Sequence, residues 1–272
     1  MTQWSARLRA DLSARAAQYA AQTGTAAYQS LGPAGVILFP LAADELTHGN
    51  FMRESFSAIM GDSTWRKRLD KPHTRRAKAL PSPHDGTARE LDSCTSSDAL
   101  LMNVFCYPGV VSGKIAEQLR VPPGSRPAFG IAGDVLLKDG TTDTTELDMQ
   151  IGDTNVEAKL TESDFTSRPV AHVERYADLY EVFDATALPR DAGSYLSYQL
   201  IRNVLAVARR PTAHFKVLID GRRPDLLHEW WTLHSAIRDA DLRGRCGFVF
   251  WQEIAAAAPA ALRQFLGAKY AL

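Results

Sequence analysis

The sequence predicts an α/β protein: a central mixed β-sheet flanked by helices, with a helical and basic extension at its N-terminus. Two observations carry that reading. From Thr87 onward the patterns run helix, strand, strand, strand, helix, strand, with a further helix, strand and helix attached. Around Gly152-Asp153 the residues alternate between polar and apolar on both sides, the two-residue period of strands with one buried face. The expected division is an extension over 1–85 and a sheet domain over 86–272.

The 272 residues suffice for a substantial core, and 31 basic against 31 acidic residues give a formal net charge of zero. Contact with nucleic acid therefore depends on local patches and not on global attraction. Cys94, Cys106 and Cys246 form an odd set without metal-ligand spacing, read as small buried apolar residues in a reducing compartment. The N-terminus lacks an apolar signal core and no stretch is long enough to cross a bilayer, so the expectation is a cytoplasmic protein without a membrane partner.

In chain order, Thr2 to about Gln22 is an Ala-rich amphipathic helix pattern, broken by Gly24, Gly32-Pro33 and Gly35. Val36–Leu41 is an apolar run too short to type. Asp44–Met60 reads as a second helix, with Asp44 as N-cap and Gly61 as stop. The run Trp65–Lys78 holds Arg66, Lys67, Arg68, Lys71, Arg75, Arg76 and Lys78 against the single acid Asp70. It is either a solvated charge run or a phosphate-backbone contact region beside a stacking aromatic. The contact reading rests on Arg66, Lys67, Arg68, Arg75 and Arg76. Pro81–Gly86 is the best candidate boundary. Beyond it, Ser96 or Ser97 caps a helix from Asp98 to Cys106, and Ser112 caps another over Gly113–Arg120. Phe129–Leu137 is a strand candidate and Asp139-Gly140 turns into the hairpin. Then come a helix over Val173–Phe183, a longer one from Ser194 to Arg209, and an apolar strand over Ala213–Ile219. A helix from Pro224 to about Leu242, a strand over Cys246–Trp251 and an Ala-rich helix to Tyr270 complete the chain.

The hairpin is where chemistry concentrates. If Gly152-Asp153 is a two-residue type II′ turn, Ile151 faces Thr154, Gln150 faces Asn155, and Met149 faces Val156. Asp148 then opposes Glu157, Leu147 opposes Ala158, and Glu146 opposes Lys159. One face carries Leu147, Met149, Ile151, Val156, Ala158 and Leu160; the other carries Glu146, Asp148, Glu157 and Lys159. A one-residue slip would bury the acids, so the register is pinned. Opposed carboxylates with Cβ atoms about 4.5–5.5 Å apart destabilise a sheet, unless a divalent cation with oxygen ligands sits between them.

Asp148, a short turn, then Glu157-Ala158-Lys159 resembles the signature of the PD-(D/E)XK nucleases, with Leu147 where the family name has Pro. The order of elements from Thr87 onward is similar to the αβββαβ core of that restriction-endonuclease-like family. The resemblance implies a metal-dependent nuclease that hydrolyses phosphodiester bonds, DNA more than RNA. It implies Mg²⁺, with Mn²⁺ able to substitute, on Asp148, Glu157 and the Ala158 carbonyl. It makes Lys159 the residue that aligns the attacking water or assists its deprotonation. Glu146 is either a further acid beside the metal or the ion-pair partner of Lys159. By the same resemblance, Gln199 on the helix after the hairpin, and Glu90 near the first core helix, are candidates for touching DNA or the metal's surroundings. A catalytically inactive module that binds nucleic acid or a protein partner is the alternative. A hydrolase that uses Asp148 and Glu157 as an acid/base pair ranks third, because it leaves Lys159 without a role.

Overall fold

The computed structural model describes residues 3–30, 35–42, 45–71 and 89–272. Its centre is a five-stranded mixed sheet, as the sequence predicts. The strands are β1 (Pro127–Ala132), β2 (Glu146–Ile151), β3 (Thr154–Ala158), β4 (His214–Ile219) and β5 (Cys246–Phe250), in the order β5-β4-β3-β2-β1. β2 runs antiparallel to both β1 and β3, while β4 is parallel to both β3 and β5. The helices that matter to the site are α1 (Gln3–Thr23), α2 (Arg53–Gly61), α3 (Ser97–Phe105), α4 (Gly113–Leu119), α5 (Tyr198–Ala208) and α6 (Pro224–Ser235). Two more, α7 (Trp251–Ala257) and α8 (Ala260–Tyr270), close the chain.

Helices cover both faces of the sheet. Met149, Ile151, Val156, Ala158 and Leu160 pack with residues of α3, α4, α7 and α8 in one core cluster. Phe215, Val217 and Ile219 point the other way, against Leu200, Ile201 and Val204 of α5 and Trp230 of α6. β4 is thus buried on both faces, with Phe215, Val217 and Ile219 on one and Leu218 on the other. Leu8 and Leu12 of α1 join the first cluster, and Ser5 Oγ donates to the Thr161 carbonyl at 2.6 Å just past β3. The proposed boundary near residue 85 lies outside the described residues.

The hairpin pairs Ile151 with Thr154, Gln150 with Asn155 and Met149 with Val156, as counted. Gly152 takes φ +51° while Asp153 does not turn positive, the pattern of a type II′ turn. Beyond Met149–Val156 the two strands part. β2 stays on β1 as far as Glu146↔Ala132, and β3 follows β4 to Ala158↔Leu218. Asp148 and Glu157 are therefore not ladder partners. Instead the Asp148 carboxylate spans the gap, its Oδ2 accepting from the Ala158 N–H at 2.8 Å.

Several predicted helices are shorter, each for a local reason. The second spans only Arg53–Gly61, because Asn50 before it donates to the carbonyls of Leu91 and Ser93; its expected cap, Asp44, lies outside the described residues. The predicted helix over Val173–Phe183 is two single turns, Val170–Val173 and Leu179–Val182. Between them Arg175 and Ala177 pair their backbone with Lys138 and Leu136. Ser194-Tyr195 pairs with Arg168-Pro169, and α5 starts only after Ser197 resets the chain at φ +54°. The strand expected over Phe129–Leu137 breaks around Asp134, at φ +51°, into β1 and a short Val135–Leu136 strand. The helix from Pro224 ends at Ser235, and a separate one over Ala240–Arg245 is capped by Asp239. Pro259 splits the C-terminal helix into α7 and α8.

Candidate active site

Where β2 and β3 diverge, their polar face opens toward α5. Glu157 is fully buried there, and three donors surround its carboxylate. Oε1 accepts from Lys159 Nζ and from Gln199 Nε2, each at 2.7 Å, and Oε2 accepts from Asn203 Nδ2 at 2.7 Å. Gln199 Oε1 in turn accepts from Lys159 Nζ at 3.0 Å, so this amide ties the acid and the lysine together. Gln199 and Asn203 stand one turn apart on α5 and share the face turned to β3. The Lys159 backbone is fixed as well: its N–H donates to the Leu218 carbonyl at 2.8 Å, and its carbonyl accepts from Trp251 Nε1 at 3.0 Å.

The charges in this pocket oppose and support one another. Burial, then the neighbouring carboxylates of Glu157 and Asp98, push the Asp148 carboxyl well above its usual range; Lys159 and the Ala158 N–H only partly offset this. The like-charge conflict between Asp148 and Glu157 is thus real although the two are not register partners. Burial works against the Lys159 ammonium, but Glu157, Glu162 and Asp148 outweigh it and hold the amine above its ordinary value. In this state Lys159 is a charged donor. Glu162 clamps the exit of β3, accepting from the Leu160 N–H at 2.7 Å and from Ser97 Oγ at 2.5 Å.

Glu146 does not pair with Lys159. Because β2 and β3 have separated by that point, it turns to Arg68 at 2.9 Å and Lys71 at 3.1 Å. Asp98, in the first turn of α3, meets the same two cations at 2.9 and 2.7 Å. Asp98 lies in the field of Asp148. Glu90 sits in a short 3-10 turn, Glu90–Asp92, on the far side of Ser96 in sequence. Of the predicted phosphate contacts, Arg66 is exposed and pairs with Glu45 at 3.4 Å, and Lys67 is exposed. Arg68 is drawn inward to the acids, and Arg75 and Arg76 lie outside the described residues.

Asp98, Asn203 and Glu162 escape a reading of the sequence for different reasons. Asp98 follows Ser96, whose Oγ accepts from the Ala99 N–H at 3.1 Å, so it looks like an ordinary first-turn acid beside a helix cap. Asn203 carries a usable signal, since it lies four residues after Gln199 on a helix. Glu162 follows the hairpin in a stretch without periodicity.

The donor set is all oxygen, which suits a hard divalent cation of the Mg²⁺ type. Such an ion is commonly held by one or two carboxylates, with water and substrate phosphate completing its surroundings. The raised affinity of Asp148 for a proton marks a place where a second positive charge is favoured. Among the described residues no group of three or more His, Cys, Asp or Glu side chains is placed to hold a metal by itself. A two-carboxylate site on Asp148 and Glu157 fits that pattern.

A mixed sheet of this order, with an acid on one strand and acid-x-Lys on the next, defines a restriction-endonuclease-like protein of the PD-(D/E)XK superfamily. More narrowly, the chain belongs to the family described as Restriction Endonuclease associating with ARP, whose model matches residues 13–271. No curated protein and no solved structure matches it. Among the described residues no helix is long and apolar enough to cross a membrane.

Proposed function

We propose that this protein is a divalent-metal-dependent nuclease that hydrolyses phosphodiester bonds in DNA, with Asp148, Glu157 and Lys159 at its centre. The observation that carries the reading is the pair Asp148 and Glu157, brought together despite their repulsion, with Glu157 bound to Lys159 both directly and through Gln199. Asp148, Glu157 and the Ala158 carbonyl would hold Mg²⁺ or Mn²⁺. When bound, the ion supplies an acidified water and neutralises charge on the scissile phosphate. Gln199 and Asn203 hold the Glu157 carboxylate in one orientation. The Lys159 ammonium donates to the incoming water or to a phosphate oxygen; its raised pKa suits orientation and charge stabilisation more than proton removal. The family's name, which couples it to restriction endonucleases, favours DNA as substrate.

The test is cleavage of supercoiled and linear DNA with Mg²⁺, with Mn²⁺ and with chelator. Metal-dependent cutting by the wild type, reduced about 10²-fold or more by Asp148→Asn and by Lys159→Ala, is the expected result. A second reading, a binding module without catalysis, draws on one observation: both Glu157 oxygens already accept from protein donors. Equal DNA binding by wild type and Lys159→Ala, with no cutting by either, would establish it.

A further inference from the structure

Two cations from outside the sheet rest on acids beside the candidate site. They come from the turn Lys67–Asp70 and the residue after it. That turn is anchored to the sheet edge. Trp65 Nε1 donates to the Pro127 carbonyl of β1 at 3.0 Å, the Trp65 ring meets Phe129 edge-on at 6.0 Å between centroids, and Leu69 is buried. From this base the Arg68 guanidinium donates to Asp98 Oδ2 and to Glu146 Oε1, both at 2.9 Å. Lys71 Nζ bridges the same two carboxylates at 2.7 and 3.1 Å. The Arg68 side chain is only 11% exposed.

The backbone is shaped to admit this guanidinium. Gly130 on β1 has φ +62°, and a Cβ placed there would lie 2.0 Å from Arg68 Nη1 and 3.0 Å from Glu146 Cδ. No other residue type fits while Arg68 keeps its place. The ion pairs are therefore seated in the fold, unlike the exposed Arg66–Glu45 pair at 3.4 Å.

The seat matters because of its neighbour. Glu146 stands two residues before Asp148 on β2 and so on the same face of the strand, which puts the two cations it holds beside the acid proposed as a metal ligand. A divalent ion approaching Asp148 meets rim carboxylates whose charge is already cancelled, and it meets two fixed cations as well. Partly buried charges are screened less by salt than exposed ones, so the repulsion persists in ordinary buffer.

We propose that Arg68 and Lys71 form a built-in counter-ion latch, which neutralises Asp98 and Glu146 in the metal-free protein and competes with a divalent cation for the site. This rests on the two-carboxylate metal site proposed above. The latch supplies positive charge beside the site when the ion is absent, and its repulsion weakens the ion's binding. It therefore sets metal affinity from a segment that lies outside the acid and acid-x-Lys motif.

Calorimetric titration of Mn²⁺ into the 272-residue chain tests it, comparing wild type with Arg68→Gln/Lys71→Gln and with Asp148→Asn. The double variant is expected to bind Mn²⁺ roughly ten-fold more tightly, because two nearby positive charges are gone. Its metal-free melting temperature should fall, since Asp98 loses both partners. Should the double variant fail to fold, Lys71→Gln, with its side chain 26% exposed in the wild type, carries the same test and should show a smaller tightening. Unchanged or weaker Mn²⁺ affinity in the variants, with binding still abolished by Asp148→Asn, would overturn the latch and leave the metal site standing. No binding by wild type or variants would overturn both.

Discussion

Asp148 and Glu157 illustrate how single residues encode the site. Asp148 is held between the Ala158 N–H, which favours its charge, and burial and two neighbouring carboxylates, which oppose it. An acid whose folded-state pKa lies above its unfolded value binds protons more tightly when folded. It therefore costs stability as pH rises from the ordinary 3.8 toward the raised pKa, and that cost is absent in acid. Asp148→Asn keeps an acceptor for Ala158 and removes the cost. The metal-free variant should melt roughly 2–4 °C higher than wild type at pH 8, with the gap closing near pH 4, as followed by circular dichroism. Glu157 depends on the donors that surround it. Asn203→Ala deprives a buried carboxylate oxygen of its partner and should cost about 1–3 kcal/mol in urea unfolding. If Asn203→Ala were neutral, Glu157 would not depend on α5 for its placement.

Elements were legible where a short-range pattern settles them. The hairpin is such a case: alternation fixes which side chains are buried, Gly152-Asp153 fixes the turn, and Met149↔Val156 pairs as counting requires. What counting misses is the divergence beyond that pair, where β3 stays on β4, a partner more than fifty residues away in sequence, while β2 stays on β1. The same limit explains why Glu146 finds Arg68 and not Lys159. Helical periodicity overreached at Val173–Phe183, where Ala177 N–H goes to the Leu136 carbonyl. It could not reveal Asp98, which reaches the site through packing of α3. Gly152→Val tests the turn itself. A β-branched residue at φ +51° should destabilise the fold by roughly 1–2 kcal/mol, measurable by chemical denaturation, while metal binding survives in the folded fraction.

The first and last helices meet at Lys269, a fully interior amine with no carboxylate beside it among the described residues. Its Nζ donates to the Gly49 carbonyl at 2.9 Å and lies 4.1 Å from the centre of the Phe39 ring, with Tyr19 of α1 also close. Burial holds its pKa well below the ordinary 10.5. The unfolded chain takes up that proton more readily, so stability falls as pH drops from 10.5 toward the depressed value. Lys269→Met should flatten this dependence, gaining most over wild type at neutral pH and least near pH 10, in urea titrations at several pH values. Through Leu8 and Leu12, α1 shares one core cluster with Met149, Ile151 and Val156 of the hairpin. The most direct measurement is anomalous diffraction from crystals soaked in Mn²⁺. A single peak roughly 2.0–2.2 Å from carboxylate oxygens of both Asp148 and Glu157 is expected. A peak bound elsewhere, or none while Glu157 keeps Lys159, Gln199 and Asn203 as its partners, would contradict a metal site at these two acids.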